Sequence, residues 1–177
     1  EAQIADLYTR YYPRSELDIE SWSPPAECTG IGAWWSGERA NALRWVPPNV
    51  RVLDIGCGVG RNLAHLDGNG VGLDHNVDSV RIAVSRGLTA YVTDAFRGSG
   101  DDVPGSFDSL LFAHVLEHMT PSEATALVGE HLPSLRFGGQ VVVICPQERG
   151  QASDATHVTF LDAAAITSIL LDVGVTA

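Results

Sequence analysis

Three features of this sequence predict an α/β fold, a doubly wound, mostly parallel sheet with helices on both faces. After Pro47-Pro48, short β-branched runs alternate with helical patterns in the order βαβαβ and then βαβα. The first run closes on a glycine-rich turn, Gly56-Cys57-Gly58-Val59-Gly60. Aspartates sit at or just after the ends of the first three runs, Asp54, Asp74 and Asp94, each twenty residues from the next. Strands that alternate with helices pair in parallel through right-handed crossovers, and such sheets bind ligands at the carboxyl ends of their strands, near the switch point beside the first strand.

Residues 50–55 read as a buried strand, and a short helix is expected through Leu66 until Asp67-Gly68 stops it. Residues 70–74 form the second strand, after which Val77, Val80 and Val84 recur at helical spacing up to Gly87, a C-terminal cap. Residues 88–92 make the third strand. Past the loop 98–105, residues 107–113 make a fourth, apolar enough to be buried on both faces. Thr120-Pro121-Ser122-Glu123 opens a helix: the hydroxyl can cap a backbone N–H, the proline fits the first helical position, and the glutamate can reach back to the cap. That helix is expected to run to Phe137 and end at Gly138-Gly139. Residues 140–145 are the fifth strand, and Asp162 opens a last helix with Ile166, Ile169, Leu170 and Val173 on one face before Gly174.

Residues 1–48 differ in texture, with Tyr8, Tyr11, Tyr12, Trp22, Trp34, Trp35 and Trp45 among Pro13, Pro24 and Pro25. They are expected to form helices near 2–12 and 37–46 and to cover the domain made by 49–177, giving one compact domain overall. The chain has 177 residues, 45% of them hydrophobic and 19% charged, with a mean hydropathy of +0.05, enough for one core and too little charge for disorder. Twenty-two acidic residues against eleven basic ones, all arginine, give a formal net charge of −11. Phosphate backbones and anionic membrane surfaces are repelled at long range, so neither nucleic acid nor membrane is the expected partner. No run is long enough to span a bilayer and the N-terminus lacks a secretion-signal layout, so a cytoplasmic protein is expected. Cys28, Cys57 and Cys145 are odd in number and widely spaced, as expected of reduced thiols.

At the strand ends, a glycine turn lets a ligand approach the backbone closely, and a carboxylate ending the second strand can accept both hydroxyls of a ribose. A nucleoside-containing cofactor follows, against the alternative that these aspartates are helix caps or solvated loop residues. The dinucleotide fingerprint needs a third glycine three residues after its second; Arg61 or Leu63 stands there, which weakens an NAD-dependent oxidoreductase. With no lysine in the chain, a phosphate-binding lysine loop is impossible.

Val52-Leu53-Asp54-Ile55-Gly56-Cys57-Gly58-Val59-Gly60 resembles the first motif of the class I S-adenosylmethionine-dependent methyltransferases. Gly72-Leu73-Asp74 resembles their second motif, Thr93-Asp94-Ala95 the third, Phe107-Asp108 through His114-Val115-Leu116-Glu117-His118 the fourth, and Gly138-Gly139 before a strand the fifth. The resemblance covers roughly residues 49–174 and implies a Rossmann-like domain that binds S-adenosyl-L-methionine and methylates a small molecule. By the same resemblance, Asp54, Gly56, Cys57, Gly58 and Gly60 would hold the cofactor's amino-acid end. Asp74 would bind the ribose hydroxyls with His75 near the adenine, and Asp94 and Ala95 would meet the adenine amine and ring. Ala113 and His114 would line the sulfonium and methyl, and Tyr8, Tyr11 or Tyr12 would cover the cofactor. The family's sheet continues into a sixth strand and an antiparallel hairpin, so this chain, which lacks a starting methionine and stops where strand six would begin, is expected to be part of a longer one.

Methyl transfer from a sulfonium is an in-line displacement with an already activated leaving group, so alignment and desolvation are the enzyme's main tasks. If the acceptor is a hydroxyl or an acidic carbon, a base near neutral pKa helps; His118, His114 and His157 are the candidates. Loop histidines are also often simply solvated or capping, and Glu117 is as well suited to a structural as to an acid–base role. His114-Val115-Leu116-Glu117-His118 also fits the H-x-x-E-H pattern of inverted zinc proteases, whose ligands share one helix face. Here they follow a strand and precede the helix cap at Thr120, so no metal is expected. A non-catalytic cofactor-binding module is the other alternative; it predicts a cofactor pocket without an open acceptor cavity.

Overall fold

The structure, a computed structural model, describes residues 50–146 and 148–176. The helices expected near 2–12 and 37–46, the tyrosine and tryptophan cover and Cys28 lie outside the described residues.

The described chain forms β1 (Val52–Ile55), β2 (Gly70–Asp74), α1 (Val77–Ser85), β3 (Ala90–Val92), α2 (Thr93–Phe96), β4 (Phe107–Ala113), α3 (Pro121–His131), β5 (Leu135–Ile144), α4 (Glu148–Ser153) and α5 (Ala163–Asp172). The five strands make one sheet in the order β3-β2-β1-β4-β5, every pair parallel. The order reverses beside β1, so β1 and β4 diverge into helices on opposite faces and leave a crevice at their carboxyl ends.

Strand periodicity sorts the core into two layers. Leu53, Ile55, Leu110 and Phe112 face one way, onto Ala124 and Val128 of α3 and Ile169 of α5. Val52 and Leu111 face the other way, onto Leu63, Val80 and Ala83. Ile166, Leu170 and Val173 pack on the first layer as the spacing predicts.

Several local expectations are corrected by long-range packing. The helix expected after the glycine turn shrinks to one 3-10 turn, Leu63–His65. Gly56, Gly58 and Gly60 take φ of 76°, 54° and 83°, and Asp67 and Gly68 take 51° and 83°, so few residues between these left-handed positions are left to wind. In α1, Val80 is buried as the spacing predicts, but Val77 and Val84 are 64% and 51% exposed, and Ser79 and Ala83 face inward with Val80. The reason is close approach: a Cβ on Gly60 would stand 3.2 Å from that of Ala83. The third strand begins only at Ala90 and runs straight into the unexpected turn α2. The helix opened at Thr120 stops at His131, where Pro133 lies in a 3-10 turn, and Gly138-Gly139 sit inside β5 instead of ending a helix. Pairing there jumps from Phe107↔Leu135 to Ser109↔Gln140, so residues 136–139 bulge from the ladder. Neither this bulge nor α4 was legible in the apolar pattern.

The cap of α3 forms as expected: the Thr120 hydroxyl accepts from Glu123 N, and the Glu123 carboxylate accepts from Thr120 N at 2.8 Å. Thr120→Ala is expected to lower unfolding free energy by about 1 kcal/mol. Urea denaturation with an unchanged m-value checks this; an unaltered midpoint would mean the box contributes nothing.

Candidate functional site

The turn after β1 is stitched to the end of β2. Gly56 N and Cys57 N donate to Leu73 O at 2.8 and 2.9 Å, and Gly58 N donates to Asp74 Oδ2 at 2.8 Å. Asn76 N donates to the other oxygen, Asp74 Oδ1, at 2.8 Å. Two backbone donors therefore fix the Asp74 carboxylate at the strand end, while lone pairs remain for further donors. His75 is on the exposed side of the same turn, its Nδ1 3.6 Å from Asp74 Oδ1. Asp94 and Ala95 form part of α2 at the end of β3, and both are exposed.

Asp54 is the electrostatic anomaly of this rim. It is fully buried, and neither carboxylate oxygen has a hydrogen-bond partner. Burial pushes its pKa from 3.8 up to about 7; neighbouring Asn62 opposes the rise without reaching good hydrogen-bond geometry, and Asp74 adds to it by like-charge repulsion. Burial, with Asp54 and Asp74 nearby, also pushes the Cys57 thiol up, so it stays neutral. A desolvated carboxylate without partners is a standing demand for cationic or N–H donors.

Gly56 is what brings the next element into the site. A Cβ there would lie 2.3 Å from Val115 Cγ2, so only glycine lets the turn after β4 close on the turn after β1. Ala113 ends β4, and His114 follows in the left-handed region at φ 59°, a strained conformation for a non-glycine residue. His114 N donates to Ile144 O at 2.8 Å, and its Nδ1 is 3.1 Å from Glu117 Oε1.

Glu117 and His118 lie in the 3-10 turn Leu116–His118. Glu117 is fully buried; its carbonyl accepts from Val158 N at 2.8 Å, and its Oε2 has no partner. Burial, with the Glu117 carboxylate beside it, pushes the Cys145 thiol up to about 12. Cys57 and Cys145 are both free thiols, as their spacing suggested. The His118 and His157 rings lie 5.0 Å apart, centroid to centroid. His118 Nδ1 is 3.3 Å from Thr156 O and 3.1 Å from Thr156 Oγ1, and His157 Nδ1 is 3.1 Å from Gln151 O.

Among the described residues, those singled out from the sequence fall on the carboxyl-end rim, in two groups. Asp54, Gly56, Cys57, Gly58, Gly60, Asp74 and His75 line the β1–β2 side, with Asp94 and Ala95 beyond them on β3 and α2. Ala113, His114, His118 and His157 line the β4–β5 side. The helical register of a zinc protease is not formed, because His114 to His118 run through a left-handed residue and a 3-10 turn. Sequence reasoning missed Thr156 and Gln151, which position His118 and His157, and Asn62, which moderates the Asp54 pKa; none has a local signature. Val115, at the contact with Gly56, was equally silent. Surface hollows along β5 and α5, near Val141, Val142, Thr167 and Leu170, lie away from this rim.

A family model described as "Methionine biosynthesis protein MetW" matches residues 38–149, more than half of the chain. No curated protein matches. Among solved structures, a SAM-dependent methyltransferase from Archaeoglobus fulgidus is similar at 21% identity and a TM-score of 0.65, over 85% of this chain and 74% of that one. A chain in the complex between the Haloferax volcanii Trm112 methyltransferase activator and the putative methyltransferase is 21% identical with a TM-score of 0.60, over 89% of this chain and 76% of that one. A possible histamine N-methyltransferase from Thermotoga maritima is 15% identical, also with a TM-score of 0.60, over 98% of this chain and 77% of that one. At these identities the likeness establishes a shared class I methyltransferase fold.

Proposed function

The chain belongs to the MetW family, and on that premise we propose that it binds S-adenosyl-L-methionine and transfers the methyl group to a small-molecule acceptor, yielding S-adenosyl-L-homocysteine. The observation that carries the reading is the fully buried, unpartnered carboxylate of Asp54, set behind a glycine turn and beside Asp74. A ligand with an ammonium group at one end and ribose hydroxyls in its middle answers both carboxylates.

The residues fit the cofactor as follows. Asp54 and the turn Gly56, Cys57, Gly58 and Gly60 receive the amino-acid end, and Gly56 and Gly60 let that turn pack directly on Val115, Leu88 and Ala83. Asp74, oriented by Gly58 N and Asn76 N, accepts the ribose hydroxyls, and His75 borders the adenine. Asp94 and Ala95 present a carboxylate and a backbone N–H to the base. Ala113 and His114 border the reacting methyl. When bound, the cofactor supplies a sulfonium-activated methyl group. Glu117 orients the His114 ring through the Nδ1 contact. At His118 and His157, each Nδ1 faces a backbone carbonyl, which can only accept; both rings therefore carry the proton on Nδ1 and offer a bare Nε2 toward an acceptor. A ring whose Nε2 lone pair is not taken up by another ligand can accept the acceptor's proton.

Residues 1–48 are proposed to cover the domain formed by 49–177, and the protein to work in the cytoplasm. Among the described residues no helix is long and apolar enough to cross a membrane. The family description names methionine biosynthesis and no reaction. A cofactor-binding module without turnover is therefore the reading to separate by an acceptor screen.

The deciding experiment is calorimetric titration with S-adenosylmethionine and S-adenosylhomocysteine, with NAD as control. Both adenosyl ligands are expected to bind saturably and NAD not to bind. Asp74→Ala is expected to weaken binding about tenfold or more, the loss of a charge-assisted pair of hydrogen bonds. No binding to folded protein, or equal binding by the variant, would overturn the assignment.

A further inference from the structure

We propose that Glu117, His118 and His157 bind one divalent transition-metal ion of the zinc type. A ligand atom from each of these three residues lies within 4.8 Å of the other two. Two imidazoles and a carboxylate are the donor set that suits zinc and its neighbours, whereas magnesium and calcium favour all-oxygen shells.

Three further observations point the same way. The ring nitrogens not needed for a metal are already engaged: His157 Nδ1 with Gln151 O at 3.1 Å, and His118 Nδ1 with Thr156 O at 3.3 Å. A backbone carbonyl on Nδ1 fixes the tautomer that leaves Nε2 as a lone-pair donor, which is how metal-binding histidines are commonly held. Thr156 extends this support: its hydroxyl donates to Asp154 Oδ1 at 2.7 Å and so can accept from His118 Nδ1, 3.1 Å away. Finally, Glu117 has one oxygen on His114 Nδ1, and the other, Oε2, is buried with no hydrogen bond of good geometry and only the weak Cys145 thiol donor beside the carboxylate, an arrangement costly unless something binds it. Asp154 Oδ2 also lies 3.9 Å from His157 Nε2.

The H-x-x-E-H pattern alone gave no reason to expect a metal, because His114 and His118 do not share a helix face. The set assembles differently. Glu117 and His118 come from the turn after β4 and His157 from the loop after β5, tied together where Val158 N and Thr159 N donate to Glu117 O. Three protein ligands leave coordination positions open, the arrangement of a site that also takes an oxygen of water or substrate. That these positions face the acceptor rests on the methyltransferase reading; binding of the ion does not.

The test uses the full chain, stripped with chelator and titrated with Co2+ alone under visible absorption, with Zn2+ in competition and Mg2+ in parallel. One equivalent of Co2+ is expected to bind saturably, to be displaced by Zn2+ and to be untouched by Mg2+. Supporting groups alone are worth about 10–100-fold in metal affinity, so Glu117→Gln and His157→Ala are expected to lose at least that much, while His65→Ala changes nothing. Circular dichroism of the chelated proteins checks folding, and His118→Gln replaces any variant that fails it. No saturable Co2+ or Zn2+, affinity unchanged in the ligand variants, or a preference for Mg2+ would each overturn the proposal. Metal binding without adenosyl-ligand binding would instead overturn the cofactor reading alone.

Discussion

Gly56→Ala is expected to lower unfolding free energy by about 3 kcal/mol, from two separable causes. The backbone there has φ 76°, which costs an L-residue about 1–2 kcal/mol. The new methyl would also stand 2.3 Å from Val115 Cγ2, an overpacking that typically costs about 1–3 kcal/mol. Val115→Ala removes the second cause and leaves the first. Denaturant unfolding of both single variants and the double variant should therefore give a favourable coupling of about 1–2 kcal/mol. Additive single effects would mean that the turns after β1 and β4 do not touch as described.

Asp54→Asn is expected to move stability and binding in opposite directions. A buried acid whose pKa rises from 3.8 to about 7 holds its proton in the native state across that window, while the unfolded chain gives its proton up. Asp54 therefore makes no demand on stability below pH 4. Its contribution falls as pH rises through the window and is lost above 7, by about 4 kcal/mol at most given about 1.36 kcal/mol per pKa unit. The asparagine cannot ionise, so its advantage over wild type should be near zero at pH 4 and grow to about 2–4 kcal/mol at pH 8. The same variant should bind S-adenosylmethionine more weakly, since an ammonium group prefers a carboxylate to an amide. This is the usual exchange between stability and function at a strained site. Thermal melts across pH, paired with calorimetry, measure both; a stability difference independent of pH would show that Asp54 is not the buried acid described. Wild-type binding at pH 7 should also release protons as the half-protonated carboxylate meets its cation, a release that vanishes in Asp54→Asn.

The architecture and the rim were legible because both are written locally. The strands are built around short apolar runs, α1, α3 and α5 carry their own caps, and parallel order follows from alternation. Asp54, Asp74 and Asp94 stand at or just past the carboxyl ends of β1, β2 and β3, each two residues further along its strand in register than the last, so one topological rule places all three on the rim. Errors came wherever a neighbour distant in sequence chose the outcome. Gly60 meeting Ala83 turned α1 so that Val77 and Val84 face solvent. Pairing with β4 drew β5 back to Leu135 and took Gly138-Gly139 into a strand.

The doubly wound sheet and the glycine turn can be read from the amino-acid order alone, because alternation, glycine placement and strand-end aspartates are all local signals. What the rim residues are chemically depends on long-range packing. Asp54 has a pKa raised to about 7 because the fold removes its water and Asn62 only partly offsets that loss, and desolvation has no sequence pattern. Glu117, His118 and His157 become one cluster because two loops from neighbouring parallel strands end at the same height. Spacing within a motif cannot express that proximity.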